Sequence, residues 1–466
     1  MMNPTSSTTL KVDVDILKKY TKTGPRYTSY PTAPIFSEEF GPADYKRTIE
    51  ATNKVEKPAD LSLYFHLPFC RSVCYFCGCN VIYTKRGEQA DQYLDYLEKE
   101  IRMVSALQKP GREVVQLHFG GGTPTFLSTD QLKRLNRAIR ENFTLSSNIE
   151  AGVEIDPREA SDEHIKTLRE IGFNRISMGI QDFDPVVQKA VHRVQTEELS
   201  RHVIDVCRKE AFESINIDLI YGLPHQSVKS FEKTVDKIIE INPDRMAVFN
   251  FAYVPWMKPI QKSIKEEDLP SAAEKFEILK MVIEKFTTAG YVYIGMDHFA
   301  KPDDELFVAQ KEKTLYRNFQ GYTTRAGCDL YGLGVTSIGQ VGNCYVQNAH
   351  ELPDYYQGIE EGKLPIYRGY ELNDDDILRR HIITRIMCDF ELEFADVEKE
   401  FNLDFRKTFA LELSELEPMT KDKLLTLSDD KLVVSDLGRI LIRNIAMVFD
   451  IYLRKSDKEM RFSKTV

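Results

Sequence analysis

Four of the chain's eight cysteines fall between Cys70 and Cys79, in a sequence of 466 residues. The run reads His66-Leu67-Pro68-Phe69-Cys70-Arg71-Ser72-Val73-Cys74-Tyr75-Phe76-Cys77-Gly78-Cys79-Asn80. Cys-x3-Cys-x2-Cys on one loop places the thiolates of Cys70, Cys74 and Cys77 around a single small inorganic centre, the usual ligation of an iron–sulfur cluster. Three ligands for four irons leave one iron open to a chelating small molecule, which makes such a centre catalytic in design. Cys79 follows Cys77 too closely to join the same cubane without straining the loop, so it reads as a functional neighbour of the cluster. Zinc is one competing reading, but it prefers two separated cysteine pairs, and the chain has no second pair. Inert buried cysteines are the other. Tyr75 and Phe76 either shield the centre from solvent or simply pack.

A loop of this kind must be held at the end of a framework strand. Strand-like runs occur at 61–66, 114–119, 149–155, 175–180, 214–220 and 245–251, and apolar residues at helical spacing lie between them. Leu94, Leu97 and Ile101 form one such stripe; Leu132, Leu135 and Ile139 form another; Val228, Phe231, Val235 and Ile238 form a third. The alternation predicts six βα units and a parallel sheet, rolled into a full or partial barrel or opened as a doubly wound sheet. A run at 291–296 is a candidate accessory strand. Residues 1–50 form an arm whose Tyr/Thr/Pro-rich part, 25–34, looks irregular, and 51–355 hold the βα core. Residues 356–466 change texture: helices are expected at 374–388, 393–401 and 408–416, a short strand pair at 424–434 and a final helix at 436–453. This tail has a winged-helix flavour, and a solvated cap suits it as well as a binding role.

Charge narrows the partners. The formal net charge is −10, so the chain lacks the basic footprint that nucleic acid requires. No apolar run is long enough to span a bilayer, and residues 1–12 are too polar for a signal peptide, which predicts a cytoplasmic protein without a membrane partner.

Polar and glycine residues recur where the predicted strands end, the edge at which α/β folds place their chemistry. Gly120-Gly121-Gly122-Thr123-Pro124-Thr125 follows the second strand, and its backbone N–H groups can approach a ligand closely. Glu154-Ile155-Asp156-Pro157 follows the third, Met178-Gly179-Ile180-Gln181-Asp182-Phe183 the fourth, and Asn216-Ile217-Asp218-Leu219-Ile220-Tyr221-Gly222 lies on the fifth. Glu154 is either a ligand-binding carboxylate or a satisfied core one. Gly332-Leu333-Gly334 lacks the third glycine of a dinucleotide fingerprint, because Ser337 stands in its place. His192 and His298 are isolated and read as structural.

The cysteine spacing at the end of the first strand of a βα array resembles the radical S-adenosylmethionine (SAM) superfamily. Gly78-Cys79-Asn80 and Pro25-Arg26-Tyr27-Thr28-Ser29-Tyr30-Pro31 are similar to one branch of it, the oxygen-independent coproporphyrinogen III oxidases, and the other motifs follow in order along nearly the whole chain. The resemblance implies a partial (β/α)6 parallel barrel, an N-terminal arm closing over the active site and a small, mostly helical C-terminal domain. It implies a 4Fe-4S cluster on Cys70, Cys74 and Cys77, with SAM held by Tyr64, Gly121, Glu154 and Ile338. A second SAM is implied at Phe76, Gly122, Thr123, Gln181, Arg193, Asp218 and Ala252. The expected reaction cleaves SAM reductively, takes a hydrogen from a propionate β-carbon and releases carbon dioxide, converting the ring A and B propionates of coproporphyrinogen III to vinyl groups. A reduced flavodoxin- or ferredoxin-like protein is the implied electron donor, and a monomer the implied state. Arg26, Arg193, Arg317 and Arg325 are candidates for the substrate carboxylates, and Cys79 and Tyr30 for chemistry at the substrate. A haem chaperone or haem-modifying methyltransferase of the same superfamily is the alternative within this resemblance, although such chaperones typically lack the Gly78-Cys79-Asn80 and Tyr27-Thr28-Ser29-Tyr30 features. A zinc-stabilised binding module is the alternative outside it.

Overall fold

Strand formation follows the alternation read above, and it extends further along the chain than the sequence suggests. A computed structural model describes residues 10–455 and 462–465, so most of the polar 1–12 stretch and parts of the tail lie outside the described residues. Twelve strands form one sheet: β1 (Leu61–Leu67), β2 (Glu113–Gly121), β3 (Thr144–Ile155), β4 (Arg175–Gln181), β5 (Ser214–Tyr221), β6 (Arg245–Asn250), β7 (Val292–Gly295), β8 (His298–Ala300), β9 (Asp329–Leu333), β10 (Ile338–Val341), β11 (Cys344–Asn348) and β12 (Ile366–Glu371). Their order across the sheet is β12-β11-β10-β9-β1-β2-β3-β4-β5-β6-β8-β7.

Strands β1 to β6 are parallel neighbours in sequence order. A doubly wound sheet reverses its strand order; successive right-handed crossovers that never reverse keep all the helices on one face and curl the sheet into a partial barrel. The helices are α1 (Glu88–Ser105), α2 (Thr129–Asn142), α3 (Asp162–Glu170), α4 (Glu197–Lys209) and α5 (Val228–Ile241), followed by α6 (Ala272–Thr288). Ser128, Ser161 and Ser227 start α2, α3 and α5 by accepting backbone N–H bonds three residues on, and each helix buries its apolar stripe against the strands.

Two features were not legible in sequence. Strand β9 returns to pair parallel with β1, and β10, β11 and β12 extend the sheet antiparallel from it. The glycines there serve close strand approach, since a Cβ on Gly332 would lie 2.6 Å from the Ile338 carbonyl oxygen. The arm covers the outer edge: Ser37 and Gly369 of β12 exchange backbone hydrogen bonds of 2.8 and 3.0 Å. Because β12 belongs to the main sheet, the expected boundary at 355/356 falls inside α7 (Leu352–Glu360), and the sheet ends at Glu371. The boundary at 50/51 likewise falls inside the arm helix Pro42–Lys54.

The C-terminal region opens with α8 (Asp374–Asp389) and holds a three-stranded antiparallel sheet of Glu391–Glu393, Lys431–Val434 and Leu425–Leu427. The expected helix at 408–416 is interrupted at Phe409, which is fully buried among aromatic rings. The expected final helix is broken into Asp436–Ile440, Ile442–Ala446, a 3-10 turn and Ile451–Lys455. Bonds to the arm replace helix continuity there: Asn444 Nδ2 donates to Tyr20 O (2.7 Å), Tyr27 Oη to Asp450 Oδ2 (2.9 Å) and Ile451 N to Tyr30 Oη (3.2 Å). Among the described residues no helix is long and apolar enough to cross a membrane.

Candidate active site

The cysteine loop leaves β1 and is stitched to the glycine turn after β2. Gly122 N donates to Leu67 O and Thr123 N to Phe69 O, both at 2.9 Å, so the first cysteine and the glycines form one backbone unit. The approach is close: a Cβ on Gly122 would sit 2.5 Å from Phe69 O, and Gly121, at φ +118°, occupies the left-handed region. Phe69–Cys70 pairs parallel with Ile82–Tyr83, and Cys77 N donates to Cys74 O (3.1 Å). His192 stacks on Tyr75 and bonds through Nδ1 to Val73 O (2.6 Å), which buttresses the loop from outside. Tyr75 and Phe76 pack against the cluster of Val187, Val191, Leu223, Phe251 and Ile264.

Cys70, Cys74 and Cys77 are all free thiols. Burial, and then the charges of Cys77 and Cys74, push the Cys70 thiol up to about 12. Hydrogen bonding from Cys79 pulls the Cys77 thiol down instead, so it is Cys70 that most needs a cationic centre to become a thiolate, and an iron–sulfur cluster supplies one. Cations also stand by: Arg158 Nη2 donates to Cys74 Sγ (3.2 Å), and Arg193 Nη1 lies 3.5 Å from it. Among the described residues no three His, Cys, Asp or Glu side chains converge tightly enough to hold one metal ion. The fit therefore rests on the thiol chemistry and the backbone cradle.

Tyr64, Gly121, Glu154 and Ile338, expected together, line one cavity of about 470 Å3 that also includes Cys79. Cys79 is exposed at this cavity, and Lys258 Nζ donates to its carbonyl (3.1 Å). His66 ties the floor to the loop, with Nδ1 3.1 Å from Tyr64 Oη and Nε2 2.9 Å from Asn80 O. Glu154 is no satisfied core carboxylate, because its side chain is 45% exposed into the cavity. Burial works against its charge, but the His118 Nε2 contact at 3.1 Å, the charge of His118 and the Gly121 N–H hold its carboxyl below the usual range.

Members of the second expected set lie at neighbouring strand ends, with Thr123 and Arg193 joined through Asp156 and Phe76 and Ala252 through Gln261. Arg193 Nη1 pairs with Asp156 Oδ2 (2.9 Å) and its Nη2 donates to Gly179 O (2.5 Å). Asp156 N donates to Thr123 Oγ1 (3.2 Å), and Gly179 pairs in register with Asp218. Burial, and then the Glu154 charge, push Asp218 up to about 7. Gln181 adopts φ +69°, and its Oε1 is buried without a partner. Gln261 Nε2 donates to both Phe76 O (3.1 Å) and Ala252 O (3.2 Å).

Not every expected residue joins. Tyr30 is buried between arm and tail: its Oη accepts from Ile451 N, and Tyr345 Oη donates to its carbonyl (3.2 Å), so it forms a structural seam where chemistry at the substrate was expected of it. Arg325 bonds to Asn148 O (3.2 Å), near the N-terminal half of β3, far from the strand ends that carry the chemistry. Arg26 is neutralised by Asp297, and Arg317 is buried under the Tyr322 ring. His298 is half-buried and packed on Phe249 and Tyr322, and desolvation holds its imidazole down to about 3. His66, His118, Lys258 and Gln261 also brace the site and were not among the expected residues. Period two could have found the histidines, because Tyr64 and His66, His118 and Gly120, and Gly152 and Glu154 each share the inward face of a strand.

Residues 64–238 match the family model for the radical SAM superfamily, and 372–441 match the HemN C-terminal domain. The chain is 47% identical over 466 residues to an oxygen-independent coproporphyrinogen III oxidase from Synechocystis sp., covering 99% of this chain and 100% of that one. It is 47% identical to the enzyme of the same name from Escherichia coli over 97% of this chain and 98% of that one. Among solved structures it aligns with coproporphyrinogen III oxidase (HemN) from Escherichia coli, described as a radical SAM enzyme, with a TM-score of 0.91 and 46% identity over 96% of this chain and 100% of that chain.

Proposed function

This chain belongs to the oxygen-independent coproporphyrinogen III oxidase family of radical SAM enzymes, and from that membership we infer what each part of its site does. The protein oxidatively decarboxylates coproporphyrinogen III, converting the ring A and B propionates to the vinyl groups of protoporphyrinogen IX. The observation that carries the assignment of the site is the meeting of Tyr64, Gly121, Glu154 and Ile338 with Cys79 around one cavity beside the thiol loop. A 4Fe-4S cluster with SAM, when bound, supplies one-electron chemistry that removes hydrogen from the propionate side chain.

Cys70, Cys74 and Cys77 hold the cluster. Glu154 remains anionic at neutral pH and binds the SAM amino group, and Gly121 lies beside it in the wall of the same cavity. Tyr64 and Ile338 form the walls. Phe76, Gly122, Thr123, Gln181, Arg193, Asp218 and Ala252 take a second SAM; the orphaned Gln181 Oε1 supports a ligand there. Cys79 positions the reacting group at the cavity mouth. A reduced flavodoxin- or ferredoxin-like protein donates the electron to a monomer in the cytoplasm, where a reducing environment keeps all eight cysteines free.

An anaerobic assay with reductant, SAM and coproporphyrinogen III tests this, with porphyrins and 5′-deoxyadenosine separated by chromatography. Both products form together in the parent and vanish in Cys74→Ser. Deoxyadenosine without a vinyl product moves the substrate elsewhere, and neither product from a cluster-replete sample sinks the reading.

A further inference from the structure

A second cavity, of about 770 Å3, lies over the C-terminal ends of β5 and β6, within the size range of small-molecule sites. Thr23 and Arg26 of the arm, Ala252 and Trp256 after β6, Lys275 at the start of α6 and Lys464 of the tail contribute to its wall. It shares no lining residue with the Glu154 cavity. Gln261 joins the two regions by bonding at once to Ala252 O of this wall and Phe76 O of the cysteine loop.

The charge arrangement in this cavity calls for an anion. The Lys275 stem lies across Gly222, where a Cβ would meet its Cε at 2.8 Å, and this sets its ammonium at the end of β5. Burial, and then the like charge of Lys464, lower the Lys275 pKa. Among the described residues neither lysine has an ion-pair partner, and Glu266, the one carboxylate in the wall, pairs with neither. Arg26, the third cation there, is already neutralised by Asp297. Like charges held together without a counter-ion cost free energy that an anion between them relieves. Asn250 Oδ1 in the same wall is buried without a hydrogen-bond partner, an acceptor suited to a pyrrole N–H.

We propose that Lys275 and Lys464 clasp a propionate carboxylate of the porphyrinogen, one that the reaction leaves intact, and so turn a reacting propionate toward the cysteine loop. The proposal rests on the chain's reading as a coproporphyrinogen III oxidase. An unreacting carboxylate follows from the placement, because the clasp stands in a different cavity from Glu154 and Cys79.

Trp256 is the chain's single tryptophan and lines this cavity, so quenching of its fluorescence by coproporphyrin III, the oxidised form of the substrate, reads occupancy without turnover. Lys275→Met and Lys464→Met are each expected to weaken binding about tenfold or more, from the loss of a charged hydrogen bond. KM for coproporphyrinogen III should rise more than kcat falls, because the contact is equal in ground and transition states. Lys275→Arg, which keeps the charge, should recover most of the affinity, and a merely structural lysine would show no such split. Lys464 is exposed on the terminal segment, so its replacement does not threaten folding. Quenching curves and KM values of the double variant that match the parent would overturn the clasp. If the parent itself makes neither deoxyadenosine nor protoporphyrin, the functional reading fails instead.

Discussion

Gly122 is the residue on which the thiol loop and the cofactor cradle depend together. An added Cβ would meet Phe69 O at 2.5 Å and Phe69 C at 2.8 Å, both backbone atoms that cannot swing aside. Gly122→Ala is therefore expected to cost about 1–3 kcal/mol of local strain and to push Cys70 out of register. Iron content and visible absorbance after anaerobic reconstitution should fall well below the parent, whereas Gly87→Ala, with nothing within 4 Å of its Cβ, should load normally. Equal loading of the two variants would refute the coupling. The same scale shows why Glu154 was ambiguous in sequence. A carboxylate in an apolar strand reads as core until the His118 imidazole and an open cavity are found beside it.

Element docking turns on Glu100. This fully buried side chain on α1 accepts from Gly334 N after β9, Asn348 Nδ2 of β11 and Tyr355 Oη of α7, each at 2.7 Å. It thereby ties the returning strands to the barrel. Burial pushes its carboxyl up to about 7, above the 4.5 of an exposed glutamate, although the three donors oppose the shift. A carboxyl with a raised folded pKa binds more protons folded than unfolded, so its contribution is fully present below about 4.5 and is lost as pH rises through 7. Between pH 4.5 and 8 the stability of Glu100→Gln relative to the parent should improve by up to about 3 kcal/mol. Denaturant midpoints for both proteins across that range check it; a difference independent of pH would remove Glu100 from the account.

At the scale of the whole molecule, the arm and the C-terminal tail close on each other. Arg443, 4% exposed, donates to Gly24 O, to Pro25 O (2.8 Å) and to Lys464 O (2.9 Å). Thr465 N donates to Lys22 O (2.7 Å), so the arm and tail form a short antiparallel bridge. Replacing Arg443 with Met strips several charged hydrogen bonds from buried carbonyls, a loss of about 2 kcal/mol or more. Trypsin should then cut at Lys22 or Arg26 sooner than in the parent, with the barrel core untouched. Identical digestion patterns would show that the seam is held without Arg443.

The amino-acid sequence by itself determined the thiol chemistry and the succession of βα units, because both are local. Three cysteines spaced within one loop and a strand followed by an amphipathic helix need no distant partner to be recognised. Tertiary structure alone decided the return of β9 beside β1, whose short glycine-containing strands carry little pattern of their own. It also decided which cations are available. Arg26 looked free in sequence and is paired with Asp297, whereas Lys275 and Lys464, far apart along the chain, were unremarkable until folding brought them to one cavity without a counter-ion among the described residues. Charge acts through space, so the balance of a site becomes readable only when the chain has closed around it.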